Sequence, residues 1–304
     1  HAYLPAASLG HLAMLFFSVL VAGSFALGGL TANHIDPKAL TALRFVIAAL
    51  TISIAAATLH PAKRRYFDAP WRYLVMGAAM GFYFVMMFEG LKTAPPVSTA
   101  AVFTLTPFMS AGFGWLLLRQ RMTAHIFVAL FIGAIGALWV IFRADLAAFL
   151  ALDVGRGEAV FLVGCVAHAF YTPLIARLNR GEPALVFTAG MLIGGACVTL
   201  AFGLPALVAT DWGNLPAIVW ITLGYLALIT TAFTFFLVQF AALRLPASKV
   251  MAYTYLTPSV VILWEGALGH GWPPMITFVG ILLTMAALLM LLRNDGSGAK
   301  AVHE

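Results

Sequence analysis

Tyrosine, histidine, glutamine and methionine recur along this sequence at spacings that place them on shared helical faces. Met76, Met80, Tyr83 and Met87 are separated by steps of four, three and four, which aligns them along one side of a helix. His168 and Tyr171 lie one turn apart. Tyr225, Phe235 and Gln239 fall in another apolar run, and Tyr253 and Tyr255 in a third. Such a set offers ring faces and thioether walls to a planar apolar group, with phenol, imidazole and amide groups for a polar or charged end. The chemistry is recognition rather than bond making. Tyr83, Met87, Thr106, His168, Tyr171, Gln239, Tyr253 and Tyr255 are the candidate substrate-binding residues. Any one ring could equally pack in the core or face lipid. Tyr83, His168 and Gln239 are the sharper candidates, because polar groups against hydrocarbon are costly.

Two Thr-Pro pairs, Thr106-Pro107 and Thr257-Pro258, fall in the middle of apolar runs. Proline removes a backbone donor and bends a helix, freeing a carbonyl that a neighbour, water or ligand must satisfy. Pro107 and Pro258 are therefore candidate kink or gating positions, with a fixed, well-packed bend as the alternative. Charged residues inside the runs are few, and each of them, Arg44, Glu89 and Glu265, is a functional candidate as an intramembrane ionisable group. Arg44 lies about 9 Å along a helix from Lys38 at 1.5 Å per residue, near enough to the end of its run to snorkel to the interface. Glu89 and Glu265, also near run ends, and the deeper His168 are candidates for proton coupling. Cys165 and Cys197 have no ligand spacing, so no metal, cofactor or disulfide is expected. No P-loop, H-E-x-x-H or G-x-S-x-G pattern occurs, which argues against an enzyme, and nothing implies an ATPase subunit. An intramembrane enzyme acting on lipid would need acid, base or metal-ligand residues clustered at one depth, and the sequence shows none.

The elements that must position these residues are membrane helices. The chain is 62% hydrophobic and only 9% charged, with mean hydropathy +0.99, whereas soluble domains carry roughly 25% charged residues. Apolar runs of about 20 residues, each able to cross a ~30 Å hydrocarbon core as a helix, fill it. The short alternating segments of a membrane barrel are not seen. Ten spans are predicted at approximately 9–31, 38–59, 71–91, 96–118, 123–143, 156–178, 184–206, 215–240, 247–269 and 273–293. The first run is too long, and lacks the basic flank, for a cleavable signal sequence. Residues 295–304 read as a disordered cytoplasmic tail. Gly77 with Gly81 and Gly190 with Gly194 are small-xxx-small pairs that allow helices to approach closely.

The second half repeats the first. Pro95, Ala101, Leu105, Thr106 and Pro107 recur 151 positions later as Pro246, Ala252, Leu256, Thr257 and Pro258. At an offset of 146, His34-Ile35-Asp36-Pro37 is answered by Arg180-Gly181-Glu182-Pro183. Residues 1–150 and 151–294 thus form two five-helix units. An odd number of spans per unit sets the two upside down relative to each other, with a binding site expected at their interface. Loop charge agrees. Lys63-Arg64-Arg65 follows span 2, while the matching Thr210-Asp211-Trp212-Gly213-Asn214 has no base; Arg119-Gln120-Arg121 follows span 4, where its counterpart is His270-Gly271-Trp272. The basic loops, which also hold Arg177, Arg180, Arg244 and Arg293, place both termini in the cytoplasm. They account for the net charge of +6 without a nucleic-acid partner. Symmetry is broken where Thr104 in one copy answers Tyr255 in the other.

Two phrases carry a family resemblance. Leu91-Lys92-Thr93-Ala94-Pro95 leads into Leu105-Thr106-Pro107, and Leu243-Arg244-Leu245-Pro246-Ala247 leads into Tyr255-Leu256-Thr257-Pro258. With ten helices in two inverted repeats, the chain resembles the EamA type of the drug/metabolite transporter superfamily over essentially its whole length. Its aromatic centre is most similar to the YddG-type aromatic amino acid exporters. One departure is that members commonly close span 4 with Gly-Glu, where this chain reads Arg119-Gln120-Arg121. The resemblance implies an all-α polytopic protein of a bacterial inner membrane. It implies a secondary transporter that exports aromatic or hydrophobic amino acids by alternating access around a central cavity. Its partners would be a small-molecule substrate and the lipid bilayer. The alternative is an exporter of aromatic cations, drugs or other small metabolites, the cations held by cation–π contacts.

Overall fold

The structure is a computed structural model that describes residues 6–61, 63–120, 123–142, 145–150 and 154–292. Arg121, Arg143, Arg293 and the tail at 295–304 lie outside the described residues. Every regular element within them is helical. The helices are α1 (Ala6–Thr31), α2 (Pro37–Leu59), α3 (Trp71–Leu91), α4 (Pro96–Phe103), α5 (Thr106–Leu118), α6 (Ala124–Ile141), α7 (Leu146–Leu150), α8 (Arg156–Leu178), α9 (Ala184–Ala209), α10 (Ala217–Gly224), α11 (Thr234–Ala242), α12 (Ala247–Ala252), α13 (Thr257–Ala267) and α14 (Thr277–Leu292). A π-helical segment, Tyr225–Phe233, joins α10 to α11, and a 3₁₀ turn, Tyr253–Leu256, joins α12 to α13. Eight stretches are long and apolar enough to cross a membrane, counting Pro96–Leu118 and Ala217–Ala242 as one each; α14 is a shorter apolar helix. This is a multi-pass membrane protein.

Local chemistry sets the ends of these helices. Asp36 caps α2 by accepting the Lys38 N–H at 2.7 Å, and Pro37 supplies the first helical residue. Thr123 caps α6 through the Ile126 N–H at 3.3 Å. Arg119 closes α5 in the left-handed region at φ 53°. Beside it, Gln120 accepts the Ala247 N–H at the start of α12 through its Oε1, 3.3 Å away.

Both helices are interrupted next to their Thr-Pro pairs, and the carbonyl each proline leaves is satisfied by different means. Pro107 cannot donate to the carbonyl of Phe103, and the Thr106 hydroxyl takes that carbonyl instead at 2.6 Å. Pro258 leaves the carbonyl of Thr254, which the Thr257 backbone N–H reaches through the 3₁₀ turn. Pro173, inside α8, frees the carbonyl of Ala169, and Ser110 of α5 donates to it at 3.0 Å.

Packing follows small residues. A methyl group on Gly77 would overlap the backbone of Gly195, and one on Gly194 would overlap that of Tyr73, so α3 and α9 touch main chain to main chain. Gly81 meets Thr199 on the same seam. Helix α2 packs along α9, and α6 along α14. Helix α3 packs on α8 and α9, α1 on α11 and α13, α5 on α8 and α12, and α4 on α13. At the start of α3, Arg72 forms a buried ion pair with Glu182 at 2.8 Å. It also donates to the carbonyls of Asp68, Ala69 and Leu178.

Candidate functional site

The methionine–tyrosine face of α3 points inward. Met76, Met80, Tyr83 and Met87 are all at most 1% exposed. Around Tyr83 gathers a cluster of rings from separate helices. His168 of α8 is 4.6 Å away between centroids, Phe84 4.8 Å, Phe161 5.7 Å and Phe103 of α4 6.0 Å. Phe84 stacks on Phe235 of α11 at 5.7 Å and 12°. Tyr171 lies 6.3 Å from Phe235 and accepts the Gln239 Nε2–H at 3.3 Å. Tyr83, His168, Tyr171 and Gln239 thus meet in one buried cluster, with Met87 a turn beyond Tyr83 on the same face of α3.

The cluster carries more polar capacity than it uses. Buried Tyr83 Oη, His168 Nδ1 and Gln239 Oε1 make no hydrogen bond among the described residues, and neither does Arg44 Nη1. Buried polar groups are ordinarily paired, so these four atoms are open to a partner such as water or a ligand.

Of the two readings of Arg44, as a functional group or as a snorkelling one, the structure removes the second. Arg44 does not snorkel: the residue is fully buried, with its guanidinium carbon 3.7 Å from the centre of the Phe84 ring. Arg44 Nε donates to the Thr231 hydroxyl at 2.9 Å, and Nη2 to that of Thr230 at 3.3 Å. Both threonines belong to the π-helical segment, a geometry that often marks functional sites. Distance along the helix suggested snorkelling, but α3 and the π segment close over the side chain.

Other predicted residues fall elsewhere. Tyr255 is buried in a second cluster formed with α6 and α14, its ring filling the space above Gly133. Alternation along the chain cannot show that gap. Tyr253 turns to α1, where its hydroxyl meets His11 Nδ1 at 3.1 Å and its carbonyl accepts from Ser18. The Thr106 hydroxyl is committed to Phe103 and lies 3.4 Å from that of Thr254, at the crossing of the two interrupted helices. Glu89 pairs with Lys92 at 2.7 Å in partial exposure, on the rim of a surface cavity of about 270 Å³ lined also by Asn33 and Arg156. Glu265 meets half-exposed His270 at 2.9 Å. Pro107 and Pro258 sit at the two helix breaks. Phe84, Phe103, Phe161, Thr230 and Thr231 join the site without having been singled out by sequence. Arg44 alone had carried a signal, as a charge within an apolar run.

The elements lining this cluster come from both ends of the chain, and so does its likeness to known proteins. The chain is 25% identical over 261 residues to an uncharacterized transporter, YyaM, of Bacillus subtilis (strain 168), covering 85% of this chain and 86% of that one. It is 26% identical over 255 residues to a probable terminal-alkyne amino-acid exporter of Streptantibioticus cattleyicolor, covering 83% and 82%. A solved crystal structure superposes with a TM-score of 0.70 at 22% identity over 94% of this chain and 96% of that one, which shows a shared fold. The EamA-like transporter family matches residues 8–142 and again residues 155–293. The chain is thus a member of the EamA-like transporter family, within the drug/metabolite transporter superfamily.

Proposed function

We propose that this protein is a secondary transporter that exports aromatic or other hydrophobic amino acids, by alternating access around the cluster at Tyr83. The observation that carries this reading is a buried ring-lined cluster with unused polar atoms, built by helices from both matched halves. The rings offer a stacking surface to an apolar side chain, and the polar atoms offer partners to an amino acid's charged end. The amino-acid exporter of S. cattleyicolor is a relative in keeping with it.

Ten spans arranged as two inverted five-helix units are the architecture behind this proposal. Beyond the eight long apolar stretches, α12 and α13 with the 3₁₀ turn between them would make the ninth span and α14 the tenth. The packing supports it, because exchanging each span for its counterpart five spans later leaves the neighbour pattern unchanged. α3 on α8 becomes α11 on α1, α3 on α9 becomes the π segment on α2, and α5 on α8 becomes α13 on α1. The pairs α2 with α9 and α6 with α14 map onto themselves. Breaks at Pro107 and Pro258 lie where the halves would bend, with both termini on the cytoplasmic side of a bacterial inner membrane. His168 is our candidate for proton coupling, because it sits inside the cluster while Glu89 and Glu265 have partners at helix ends.

The test is a counterflow panel in proteoliposomes, with and without a pH gradient, covering aromatic and aliphatic amino acids and aromatic cations. Phenylalanine or tryptophan should be carried best, and Tyr83→Ala or Gln239→Ala should impair their transport in protein that still folds. Transport of aromatic cations alone, or unchanged kinetics in both variants, would overturn the proposal.

A further inference from the structure

Arg44 is a cation without a counter-ion. No carboxylate lies within ion-pair distance of it among the described residues. Those present sit at helix ends or in connections: Asp36, Asp68, Glu89, Asp145, Glu158, Glu182, Asp211 and Glu265. Two threonine hydroxyls and the face of Phe84 are its partners, and its Nη1 has none. Moving an unpaired guanidinium out of water costs several kcal/mol, which neutral hydroxyls offset only in part. A chain that keeps such a group is completed when something else brings the negative charge. The threonines hold the Nε and Nη2 edge, and Phe84 covers one face, which leaves Nη1 for an incoming acceptor. Phe84 also begins the ring wall, through Phe235 at 5.7 Å and Tyr83 at 4.8 Å. Anion recognition and apolar recognition therefore adjoin on a single ring.

We infer that Arg44 is the carboxylate-binding residue of the transport site, and that its ligand is a small carboxylate with an apolar body. This rests on the proposed transport site but is narrower, because it fixes the charge of the ligand and disfavours cations. Nη1 donates to the carboxylate in a charge-assisted bond, Thr230 and Thr231 position the guanidinium, and the apolar body lies against Phe84, Phe235 and Tyr83. Gln239 Oε1, Tyr83 Oη and His168 Nδ1 remain for an ammonium group where the ligand has one.

The test is equilibrium binding by calorimetry to the full chain in nanodiscs of neutral phosphatidylcholine. The ligands are phenylalanine, 3-phenylpropionate, leucine and isovalerate, against phenethylamine and phenylalanine amide, which lack the carboxylate. Carboxylates should bind at least about tenfold tighter than the amines, a margin of one charge-assisted hydrogen bond. Arg44→Gln should weaken them about 30-fold or more, as loss of one partner from a buried charge pair does. Thr231→Val keeps the charge and should weaken them severalfold; it decides the matter where Arg44→Gln is not monodisperse. Equal binding of amines and carboxylates, no binding of any carboxylate, or unchanged carboxylate affinity in both variants would overturn the assignment. Leucine and isovalerate binding as tightly as the aromatic ligands, and depending on Arg44, would remove the aromatic preference while upholding it. Amines preferred by the ring wall would do the reverse.

Discussion

The Arg72–Glu182 pair makes a quantitative test of how the start of α3 is tied to the connection before α9. Both side chains are within 2% of complete burial and meet at 2.8 Å. Arg72 additionally satisfies three backbone carbonyls, at Asp68, Ala69 and Leu178, while Glu182 accepts the Arg180 N–H. Arg72→Met removes every one of those donors and leaves the carboxylate buried beside an apolar side chain. The cost expected for stranding one partner of a buried pair is about 3–5 kcal/mol. Glu182→Gln keeps an acceptor for Arg72 and leaves its three carbonyl partners in place. Its cost should be about 1–3 kcal/mol, that of weakening one hydrogen bond to a charged group. The double variant should be less damaged than the sum of the two, since the amide that replaces the Glu182 carboxylate has no charge to strand. Unfolding by SDS titration in mixed micelles measures all three. Equal losses in the two single variants, or strict additivity, would refute this account.

Acid adds an independent check. Burial alone would raise the Glu182 pKa, but hydrogen bonds from Arg72 and the Arg180 and Glu182 backbones, with the nearby Arg72 charge, hold it below the ordinary value. A carboxylate whose folded pKa is depressed stabilises the fold fully above its unfolded value, near 4.3 for glutamate as an approximate reference. That stabilisation fades as the pH falls through the lower, folded value. The gap between parent and Glu182→Gln should hold constant from pH 7 to about 5 and close below about 4.

Three other perturbations follow from the geometry. Gly77→Ala drives a methyl group into the Gly195 backbone and should cost about 1–3 kcal/mol by the same SDS assay; a loss inside about 0.5 kcal/mol, the range of neutral surface changes, would mean the seam is slack. Thr106→Val leaves the Phe103 carbonyl unpaired at a cost of about 1–3 kcal/mol, and adding Pro107→Ala should recover part of it by returning a backbone donor; absence of rescue would separate the threonine from the proline. His168→Gln should abolish any response of transport to an imposed pH gradient while substrate still binds, and an undiminished response would take His168 out of proton coupling.

Regular spacing made much of this molecule readable. Met76, Met80, Tyr83 and Met87, placed on one face of α3 by their steps of four and three, are all buried, and each Thr-Pro pair opens a new helix segment. What spacing could not give was the identity of partners across helices. The Ser110 hydroxyl compensates Pro173 only because α5 lies on α8, and Tyr255 leaves the ring cluster because Gly133 opens space beside α6. Arg44 is the sharpest case. Distance along α2 favours escape to the interface, and only the three-dimensional position of Thr230, Thr231 and Phe84 reverses that. The π geometry that presents those threonines leaves no mark in hydrophobic periodicity.

Pseudo-symmetry and chemistry divide the molecule between them. Helix contacts survive the exchange of one half for the other, so in the proposed transport cycle the repeated features, proline breaks and paired spans, would form the moving frame. The charge does not survive it. At the offset that aligns Asp36-Pro37 with Glu182-Pro183, Arg44 corresponds to Gly190, where a side chain would run into Tyr73. A frame that exchanges its two ends around a site with one cation would offer the ligand the same anchor from either side of the membrane. The carboxylate would stay with α2 and the π segment while the apolar body remained with α3 and α11. Reorientation need not then hand the ligand from one charge to another, only open and close the walls around it.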